Sequence, residues 1–320
     1  MIAERDSAFN APANLRRTEK SGRFPRMQTP PASDLRILTF NLRTGTCERG
    51  TPDAWKERRD DCIALMAAGG YDFIGAQEVQ WRPEEPDCDQ AGDLARGLAP
   101  AYGMLGRSRE AKPDLGEGAP ILYRRDRWEP DEEAQGTLWL SETPDVPDSR
   151  SWDSQCTRAM TWARFHELAG GARTGRTVLF ANTHFDYIFE HTMLLQAAVA
   201  DRLLAERARP GETVFLTGDF NAYERSWPIL HLVGEPVPYL AALPAAPLPL
   251  RDAWREVHPG EPDARTYHAW EGWTNDNRID YVLFAGKGVR PVASEIDRTL
   301  RPNGRFPSDH YPVSATFELS

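Results

Sequence analysis

Two polar side chains follow a short apolar run in the second half of the chain, and a carboxylate beside a carboxamide could form a functional site. Residues 213–216 have the β-branched and apolar side chains of a buried strand, which continues into Gly218-Asp219-Phe220-Asn221. Because side chains alternate along a strand, Asp219 and Asn221 are expected on the same face. A carboxylate there could activate water, and a carboxamide could donate to an oxygen that gains negative charge. The same residue types also form turns, so this segment alone leaves a site and a turn open.

Polar residues of similar types follow several other apolar runs along the chain. They are Asn41, Glu78, His184 with Asp186, Asp280, and Asp309 with His310. A single aspartate at a strand end is usually a cap, and a single histidine is usually a satisfied surface or core group. Six strand ends that all carry Asn, Asp, Glu or His are difficult to explain as separate caps. Since α/β proteins place their sites at strand ends, we predict that these residues converge.

The elements that must position these residues alternate between strands and helices. Apolar runs predict strands near residues 35–40, 73–77, 119–123, 137–140, 160–165, 177–182, 278–284 and 313–319. Helical spacing predicts helices from an N-cap at Thr51 to about residue 68, over 89–98 and over 190–207, with a short helix near 250–257. The polar loop 141–155 is long enough to suggest a function. Residues 228–262, rich in Pro, Ala and Leu, are expected to be irregular apart from that short helix.

Composition restricts the class of protein. Residues 1–33 lack apolar periodicity and predict a disordered tail, so the ordered domain should extend over 34–320, with Met27 as a second possible start. No apolar run is long enough to span a membrane and the N-terminus lacks the apolar core of a secretory signal, so we expect a cytoplasmic protein. The four cysteines form no CxxC pair, which argues against a zinc site. The net charge of −10 disfavours general binding of polyanions.

The order of the motifs along the chain is more specific than any one of them. The motifs are Phe40-Asn41, Gln77-Glu78, Asn182-Thr183-His184-Phe185-Asp186, Gly218-Asp219-Phe220-Asn221, Arg278-Ile279-Asp280-Tyr281 and Ser308-Asp309-His310. From about residue 35 to the C-terminus, this ordered set resembles the endonuclease/exonuclease/phosphatase superfamily. That superfamily includes deoxyribonuclease I, exonuclease III, poly(A) deadenylases, inositol polyphosphate 5-phosphatases and neutral sphingomyelinases. The resemblance implies a single α/β (α+β) domain, a four-layer α/β/β/α sandwich of two mixed β-sheets flanked by helices.

Two further segments resemble a widespread prokaryotic branch of that superfamily. They are residues 136–144 and the run Arg158-Ala159-Met160-Thr161-Trp162. The chain departs from the branch at Tyr187, where a second histidine is common, and at Met193, where the helix often carries arginine. Either departure could change which phosphate group is held.

The resemblance implies a Mg²⁺-dependent phosphoesterase, with Mn²⁺ as a possible substitute. A hard divalent cation offsets the negative charge of a phosphate ester and prefers oxygen ligands. We assign the metal to Asn41, Glu78 and Asp309. In the catalytic group, His310 is the general base or a phosphate contact, Asp280 orients it, and Asp219 positions or deprotonates the attacking water.

The other assigned residues would contact the phosphate ester. Asn221 is expected to donate to a phosphoryl oxygen, and His184, as imidazolium, to bind the phosphate or protonate the leaving oxygen. Arg158 has the chemistry of a bidentate phosphate ligand, although a surface arginine is the alternative. Asp186 is assigned to substrate binding, with the alternative that it only holds a neighbouring loop.

The expected substrate is a phosphorylated small molecule or a short single-stranded nucleic-acid end, because the acidic chain has no evident basic track. A nuclease acting on DNA or RNA is the second hypothesis. Four loop tryptophans could stack bases or sugars, or could belong to the core: Trp139, Trp152, Trp270 and Trp273. A non-catalytic binding protein on the same fold is the third hypothesis, and no protein partner is evident.

Overall fold

The computed structural model describes residues 34–238, 243–262, 264–272 and 278–320. The predicted tail over residues 1–33 lies outside the described residues, as does Trp273. No helix in the described part of the chain combines the length and the apolar character needed to cross a bilayer.

Strands dominate the chain, and helices connect them at a few points. In chain order the elements are β1 (Asp34–Asn41), α1 (Trp55–Ala68), β2 (Phe73–Gln77), β3 (Val79–Trp81), α2 (Gln90–Gly97), β4 (Tyr102–Leu105), β5 (Gly116–Gly118), β6 (Ile121–Arg124), β7 (Trp128–Trp139), β8 (Ala159–Ala169), β9 (Ala172–His184), α3 (Glu190–Arg207), β10 (Thr213–Asp219), α4 (Trp227–Leu232), β11 (Arg251–Asp252), α5 (Ala253–Val257), β12 (Asp280–Ala285), β13 (Val289–Ile296) and β14 (Val313–Leu319).

Two six-stranded sheets form the centre of the fold. Their strand orders are β13-β14-β1-β2-β6-β4 and β11-β12-β10-β9-β8-β7, and β3 with β5 forms a separate small sheet. Both large sheets are mixed, because β1 pairs with β2 and β9 with β10 in parallel while their other pairings are antiparallel. The prediction of two mixed sheets is therefore confirmed.

An apolar core between the two sheets holds them face to face. Phe73 of β2 stacks on Phe180 of β9, with ring centroids 4.8 Å apart. Phe215 of β10 meets Phe317 of β14 edge-on at 4.9 Å. A second buried cluster joins α3 and α4 to the outer face of the sheet that contains β9 and β10, and a third joins α1 and α2 to the outer face of the other sheet. Together these contacts give the predicted four layers.

The polar strand-end residues meet at one edge of the sandwich, but they do not all follow strands. Asn41, His184 and Asp219 end β1, β9 and β10, and Glu78 follows β2 directly. Asp280 instead begins β12, which corrects the predicted strand over 278–284. Since β12 is antiparallel to β10 and pairs Asp280 with Asp219, the start of one strand lies beside the end of the other. Residues 309 and 310 similarly precede the antiparallel β14.

Two helix predictions were wrong in detail. The helix predicted from Thr51 begins at Trp55, because the Thr51 hydroxyl donates to Glu48 O and accepts from Asp53 N, closing a turn before the helix. Within the segment 228–262, predicted to be irregular, residues Trp227–Leu232 form α4. Its proline lies in the first turn, where the missing N–H costs nothing, so the Pro-rich composition obscured a short helix.

A buried polar bridge joins the sheets beneath the edge where the polar residues meet. The side chain of Asn182 on β9 donates to Ala76 O and to Pro120 O, each at 2.8 Å, and accepts from Gln77 Nε2 at 2.6 Å. Gly75 leaves room for this bridge, because a Cβ there would lie 2.5 Å from Asn182 Oδ1 and 2.1 Å from Thr217 Oγ1. The close approach of the sheets at this point therefore requires glycine.

We predict that Gly75→Ala lowers the free energy of unfolding by about 1 to 3 kcal/mol, because the added methyl group must displace buried polar groups. Urea denaturation at constant pH measures the change. The matched control is Gly136→Ala in β7, where the new Cβ would lie 3.5 Å from the nearest atom, Trp162 Nε1. Equal effects of the two substitutions would contradict the close approach at Gly75.

Candidate active site

A cavity of about 620 Å³ opens at the edge where the polar residues meet. Seven of the ten predicted site residues line it: Glu78, Arg158, His184, Asp219, Asn221, Asp309 and His310. The other three, Asn41, Asp186 and Asp280, are fully buried beside it. The fold thus gathers residues from both large sheets around one space.

His310 and Asp280 form a buried hydrogen-bonded dyad. His310 Nδ1 lies 2.9 Å from Asp280 Oδ2, and His310 Nε2 lies 3.7 Å from Asp219 Oδ2. Burial opposes protonation of the ring, but the carboxylates of Asp280 and Asp219 outweigh it and raise the pKa of His310 to about 10. The ring is therefore an imidazolium at neutral pH. Of the two roles predicted for His310, this state favours the phosphate contact over the general base.

Asp219 has the pKa of a proton acceptor near neutrality. Burial, and then the charge of Asp280, raise the pKa of Asp219 to about 7. Its Oδ1 accepts from Asn221 N at 2.9 Å, and its Oδ2 accepts from Asn41 Nδ2 at 2.9 Å. These two bonds fix the carboxylate while its position at the cavity leaves it able to exchange a proton with a bound water.

Asn221 reaches the cavity through a turn and not through strand alternation. Strand β10 ends at Asp219, and Asn221 has a φ of 47°. Its Nδ2 lies 3.0 Å from His184 Nε2 and donates to Phe185 O at 3.1 Å. Both amide hydrogens are then used within the protein. The predicted donation from Asn221 to a phosphoryl oxygen is therefore not supported in this conformation, and the contribution of Asn221 is its backbone N–H to Asp219.

The environment of His184 opposes a second expectation, because it disfavours the imidazolium form of the ring. Burial lowers the pKa of His184 well below its ordinary value, and the positive charges of Arg158 and Arg109 act in the same direction. Its Nε2 accepts from Asn221, which places the proton on Nδ1. The predicted imidazolium that protonates the leaving oxygen is not found.

Four carboxylates line the cavity, those of Glu78, Glu117, Asp219 and Asp309. Burial raises the pKa of Asp309. Burial also acts upward on Glu78, but the charge of Arg43 and hydrogen bonds from Asn41 and Thr44 lower the pKa of that carboxyl below its ordinary value. A cluster of carboxylate oxygens suits a hard divalent cation such as Mg²⁺ or Mn²⁺ and does not suit structural zinc.

Two details bear on which side chains could hold a cation. Asn41 turns its amide nitrogen toward Glu78 and Asp219, at 3.0 and 2.9 Å, because its Oδ1 accepts from Arg43 N. In this orientation it offers no oxygen to a metal. One possible ligand atom from each of Asp219, Asp280 and His310 also lies within 4.8 Å of the other two. The hydrogen bond between His310 and Asp280, however, already uses an atom of each of these two residues.

Arg158 is a buried guanidinium at the cavity wall. The residue is 4% exposed, and its Nε and Nη1 have no hydrogen-bond partner. Among the residues that the structure describes, no carboxylate forms an ion pair with it, and its neighbour is the ring of Tyr187, 5.9 Å from the guanidinium carbon. The alternative of a surface arginine is excluded. A buried positive charge without a counter-ion indicates an anionic ligand.

Asp186 lies outside the cavity lining and organises a loop. Its Oδ2 accepts from Ser154 Oγ at 2.7 Å and Gln155 N at 2.8 Å, and its Oδ1 accepts from Tyr187 N and Ile188 N at 2.9 and 3.1 Å. These bonds fit the loop-holding alternative and leave no oxygen directed at a substrate.

Several residues at the cavity were not found from the sequence, Arg43, Thr44, Arg109, Glu117, Tyr223 and Tyr267 among them, whereas Tyr187 was noted only as a departure from the prokaryotic branch. Burial raises the pKa of Glu117, although the Arg109 guanidinium opposes the shift. The cavity aromatics are tyrosines, and none of the described tryptophans lines it; Trp139 is buried in the core, and Trp152 and Trp270 are half-buried. No local pattern distinguished these residues, apart from the position of Arg43 two residues after Asn41.

Three residues that line the cavity have strained backbones. Arg43, Glu78 and Asn221 are non-glycine residues with φ values of 52°, 56° and 47°. Such conformations cost free energy and persist where the surroundings impose them, often at functional sites. The strain supports this cavity as the active site.

Comparison with known proteins agrees with the geometry. A model of the Endonuclease/Exonuclease/phosphatase family matches residues 38–310, a range that contains all ten predicted site residues. The resemblance seen in the motifs is therefore confirmed. No curated protein matches the chain.

Solved structures share the whole fold. An endonuclease/exonuclease/phosphatase from Bacteroides vulgatus is 27% identical, with a TM-score of 0.75 over 90% of this chain and 99% of that chain. The mannosyl-6-phosphatase Bt3783 of Bacteroides thetaiotaomicron VPI-5482 is 25% identical, with a TM-score of 0.70 over 88% and 99% of the two chains. D. rerio TDP2 complexed with single strand DNA product is 18% identical and shares the fold, with a TM-score of 0.63 over 89% and 99%.

We predict that the dyad behaves as one unit. His310→Ala should lower kcat by about two to four orders of magnitude, and Asp280→Asn nearly as much, because the imidazolium loses its charged partner. The double variant should be little worse than His310→Ala alone, since groups that act together are not additive. Steady-state kinetics on the three variants, with melting temperatures, measure this.

Asp252→Asn is the control for a purely structural ion pair. Arg278 pairs with Asp252, and not with Asp280, away from the cavity lining. This control should lower the melting temperature and largely keep kcat. If Asp280→Asn behaves like Asp252→Asn, or if the losses for Asp280 and His310 multiply, the dyad is wrong.

Proposed function

This chain belongs to the endonuclease/exonuclease/phosphatase family, and we propose that it hydrolyses a phosphate monoester of a small molecule with a divalent cation, Mg²⁺ or Mn²⁺. As a member of the family it is a hydrolase of phosphoric ester bonds. The nature of the ester and of the cation is the proposal.

We choose a monoester because of the positive groups at the cavity. Two positive groups meet at the cavity: the imidazolium of His310, and the buried guanidinium of Arg158, which forms no ion pair among the described residues and whose Nε and Nη1 are free to bind an anion. A monoester dianion offers one more negative oxygen than a diester, and a guanidinium can bind two such oxygens at once. The name of the neighbour Bt3783, a mannosyl-6-phosphatase, points in the same direction.

The chain's own residues divide the work. Asp219 takes the proton of the attacking water, which its pKa of about 7 allows. His310 and Arg158 hold phosphoryl oxygens and stabilise the negative charge that they gain. Asp280 keeps the imidazolium in place, and Asn221 holds Asp219 through its backbone N–H at 2.9 Å.

Glu78 and Asp309 are the residues that would hold the cation, and Asn41 would join them only with its amide reversed. The cation would offset the negative charge of the phosphate, and oxygen atoms are the ligands that a hard divalent cation prefers. The carboxylates of Glu78 and Asp309 fit this requirement. Arg43, 3.6 Å from Asp309 and 4.0 Å from Glu78, balances their negative charge only in part.

A substrate panel tests the proposal. We expect p-nitrophenyl phosphate to be hydrolysed with a higher kcat/KM than bis-p-nitrophenyl phosphate or a single-stranded oligonucleotide. Chelation should stop the reaction, and Mg²⁺ or Mn²⁺ should restore it. Faster cleavage of the oligonucleotide would instead support the nuclease hypothesis, and no hydrolysis across the panel would support a binding protein.

Glu78→Ala tests the assignment of the cation to that carboxylate. Titration calorimetry should show Mg²⁺ affinity lowered by about tenfold or more, and excess Mg²⁺ should recover part of the turnover. Glu85→Ala is the control, because Glu85 pairs with Arg49 outside the active-site cavity, and it should leave the affinity unchanged. Unchanged affinity in Glu78→Ala, with no recovery by excess Mg²⁺, would show the assignment to be wrong.

A further inference from the structure

One wall of the cavity takes no part in the steps above. It consists of strand β5 and the segment before it, which are joined by a hydrogen bond from Arg109 N to Glu117 O at 2.8 Å. Glu117 N in turn donates to Glu110 Oε2 at 2.9 Å. The side chains of Arg109 and Glu117 line the cavity and form an ion pair with each other. This part of the wall is called here the Arg109–Glu117 pair.

The pair is shielded from bulk water but open to the cavity. The two side chains are 12% and 15% exposed. Arg109 Nε has no hydrogen-bond partner, although Glu110 Oε1 lies 3.5 Å away. An apolar ligand group against this wall would leave a donor and a charged acceptor without water, which is unfavourable.

The charges of the pair cancel, which restricts the chemistry of what it binds. A second phosphate or carboxylate would gain from the guanidinium and lose to the carboxylate. A hydroxyl group suits both partners, because it donates to Glu117 and accepts from Arg109. Neighbouring hydroxyls on one ligand could use both partners together.

The position of the pair assigns it to the leaving group. Glu117 is close enough to Glu78 and Arg158 for their charges to act on it, and Arg109 acts in the same way on His184. The pair therefore lies beside the residues that hold the phosphate. A phosphoryl group held by His310 and Arg158 would leave the rest of the substrate in the same cavity, within reach of the pair.

Three exposed tyrosines complete the space for the leaving group. Tyr187, Tyr223 and Tyr267 line the same cavity and are 56%, 52% and 37% exposed. Aromatic rings can pack against the C–H face of a sugar or against a base. Of these ligands, the charged pair favours those that carry hydroxyl groups, because a hydroxyl group can bond to both of its partners.

We propose that the Arg109–Glu117 pair is the specificity-determining subsite of the enzyme, and that the substrate is a phosphate monoester of a neutral polyhydroxy compound, a sugar or polyol. This inference rests on the proposed phosphomonoesterase function and adds the identity of the leaving group.

The test compares substrates of one shape with and without hydroxyl groups. With the full chain and saturating Mg²⁺, kcat/KM is measured for glucose 6-phosphate, for cyclohexylmethyl phosphate and for adenosine 5′-monophosphate. We expect glucose 6-phosphate to exceed cyclohexylmethyl phosphate by about tenfold or more, since a hydrogen bond to a buried charged group contributes this much. It should also exceed adenosine 5′-monophosphate.

Glu117→Gln then tests whether the Arg109–Glu117 pair causes the preference for the hydroxylated ester. It keeps the shape of the side chain and removes the charge, so the ratio of kcat/KM for glucose 6-phosphate over cyclohexylmethyl phosphate should fall by about fivefold or more. Glu212→Gln is the matched control, because the buried pair of Glu212 with Arg164 lies outside the cavity lining. That control should leave the ratio unchanged even if it lowers stability.

The outcomes separate this inference from the function on which it rests. No hydrolysis of any of the three esters overturns both. Hydrolysis without preference for the hydroxylated ester, a preference for the adenosine ester, or a ratio that Glu117→Gln does not change overturns the subsite and leaves a phosphomonoesterase.

Discussion

The buried bridge between Asn182 and Gln77 is the constraint on which the site depends. Every hydrogen-bonding atom of the Asn182 side chain is used: Nδ2 donates to the carbonyl groups of Ala76 and Pro120, and Oδ1 accepts from Gln77, all across the interface between the sheets, while Thr217 of its own sheet also donates to Oδ1. Shifting either sheet would leave several of these groups unpaired in the core, at considerable cost. Because Gln77 directly precedes Glu78 and Asn182 lies two residues before His184, the same bridge relates the two halves of the cavity.

Burial then gives similar side chains different protonation states. Of the two histidines at the cavity, His310 lies between carboxylates and its pKa rises, whereas His184 faces arginines and its pKa falls. Of the acids, Asp219 has a raised pKa and Glu78, which receives three hydrogen bonds or charges from its surroundings, a lowered one. When neighbouring groups have pKa values shifted in opposite directions, one site can provide both a proton acceptor and a proton donor. The division of roles proposed here follows from these environments.

The fold was predicted through the resemblance of six short motifs, in their order along the chain, to the endonuclease/exonuclease/phosphatase superfamily, and the convergence of the site was predicted from the polar residues of those motifs. What the sequence could not predict depends on contacts between distant residues. The lowered pKa of His184 results first from burial and then from the charges of Arg158 and Arg109, and the amide direction of Asn41 results from a backbone N–H at Arg43. Asp280 entered the site from the start of a strand, since only strand pairing shows that β12 is antiparallel to β10. Glu117 lies on a three-residue strand and Arg109 in the segment before it, and neither carries a local signal. The prediction for residues 1–33 stays a prediction.

The most direct measurement of the central claim is kcat for Gln77→Met, made with saturating substrate and Mg²⁺ at a temperature where the variant is fully folded. This substitution keeps the size of the side chain and removes the donor to Asn182 Oδ1. If the bridge positions the two halves of the site, kcat should fall by about tenfold or more, because small misplacements of reacting groups are costly. A lowered free energy of unfolding with unchanged kcat would show that the bridge only stabilises the fold, and would contradict the claim.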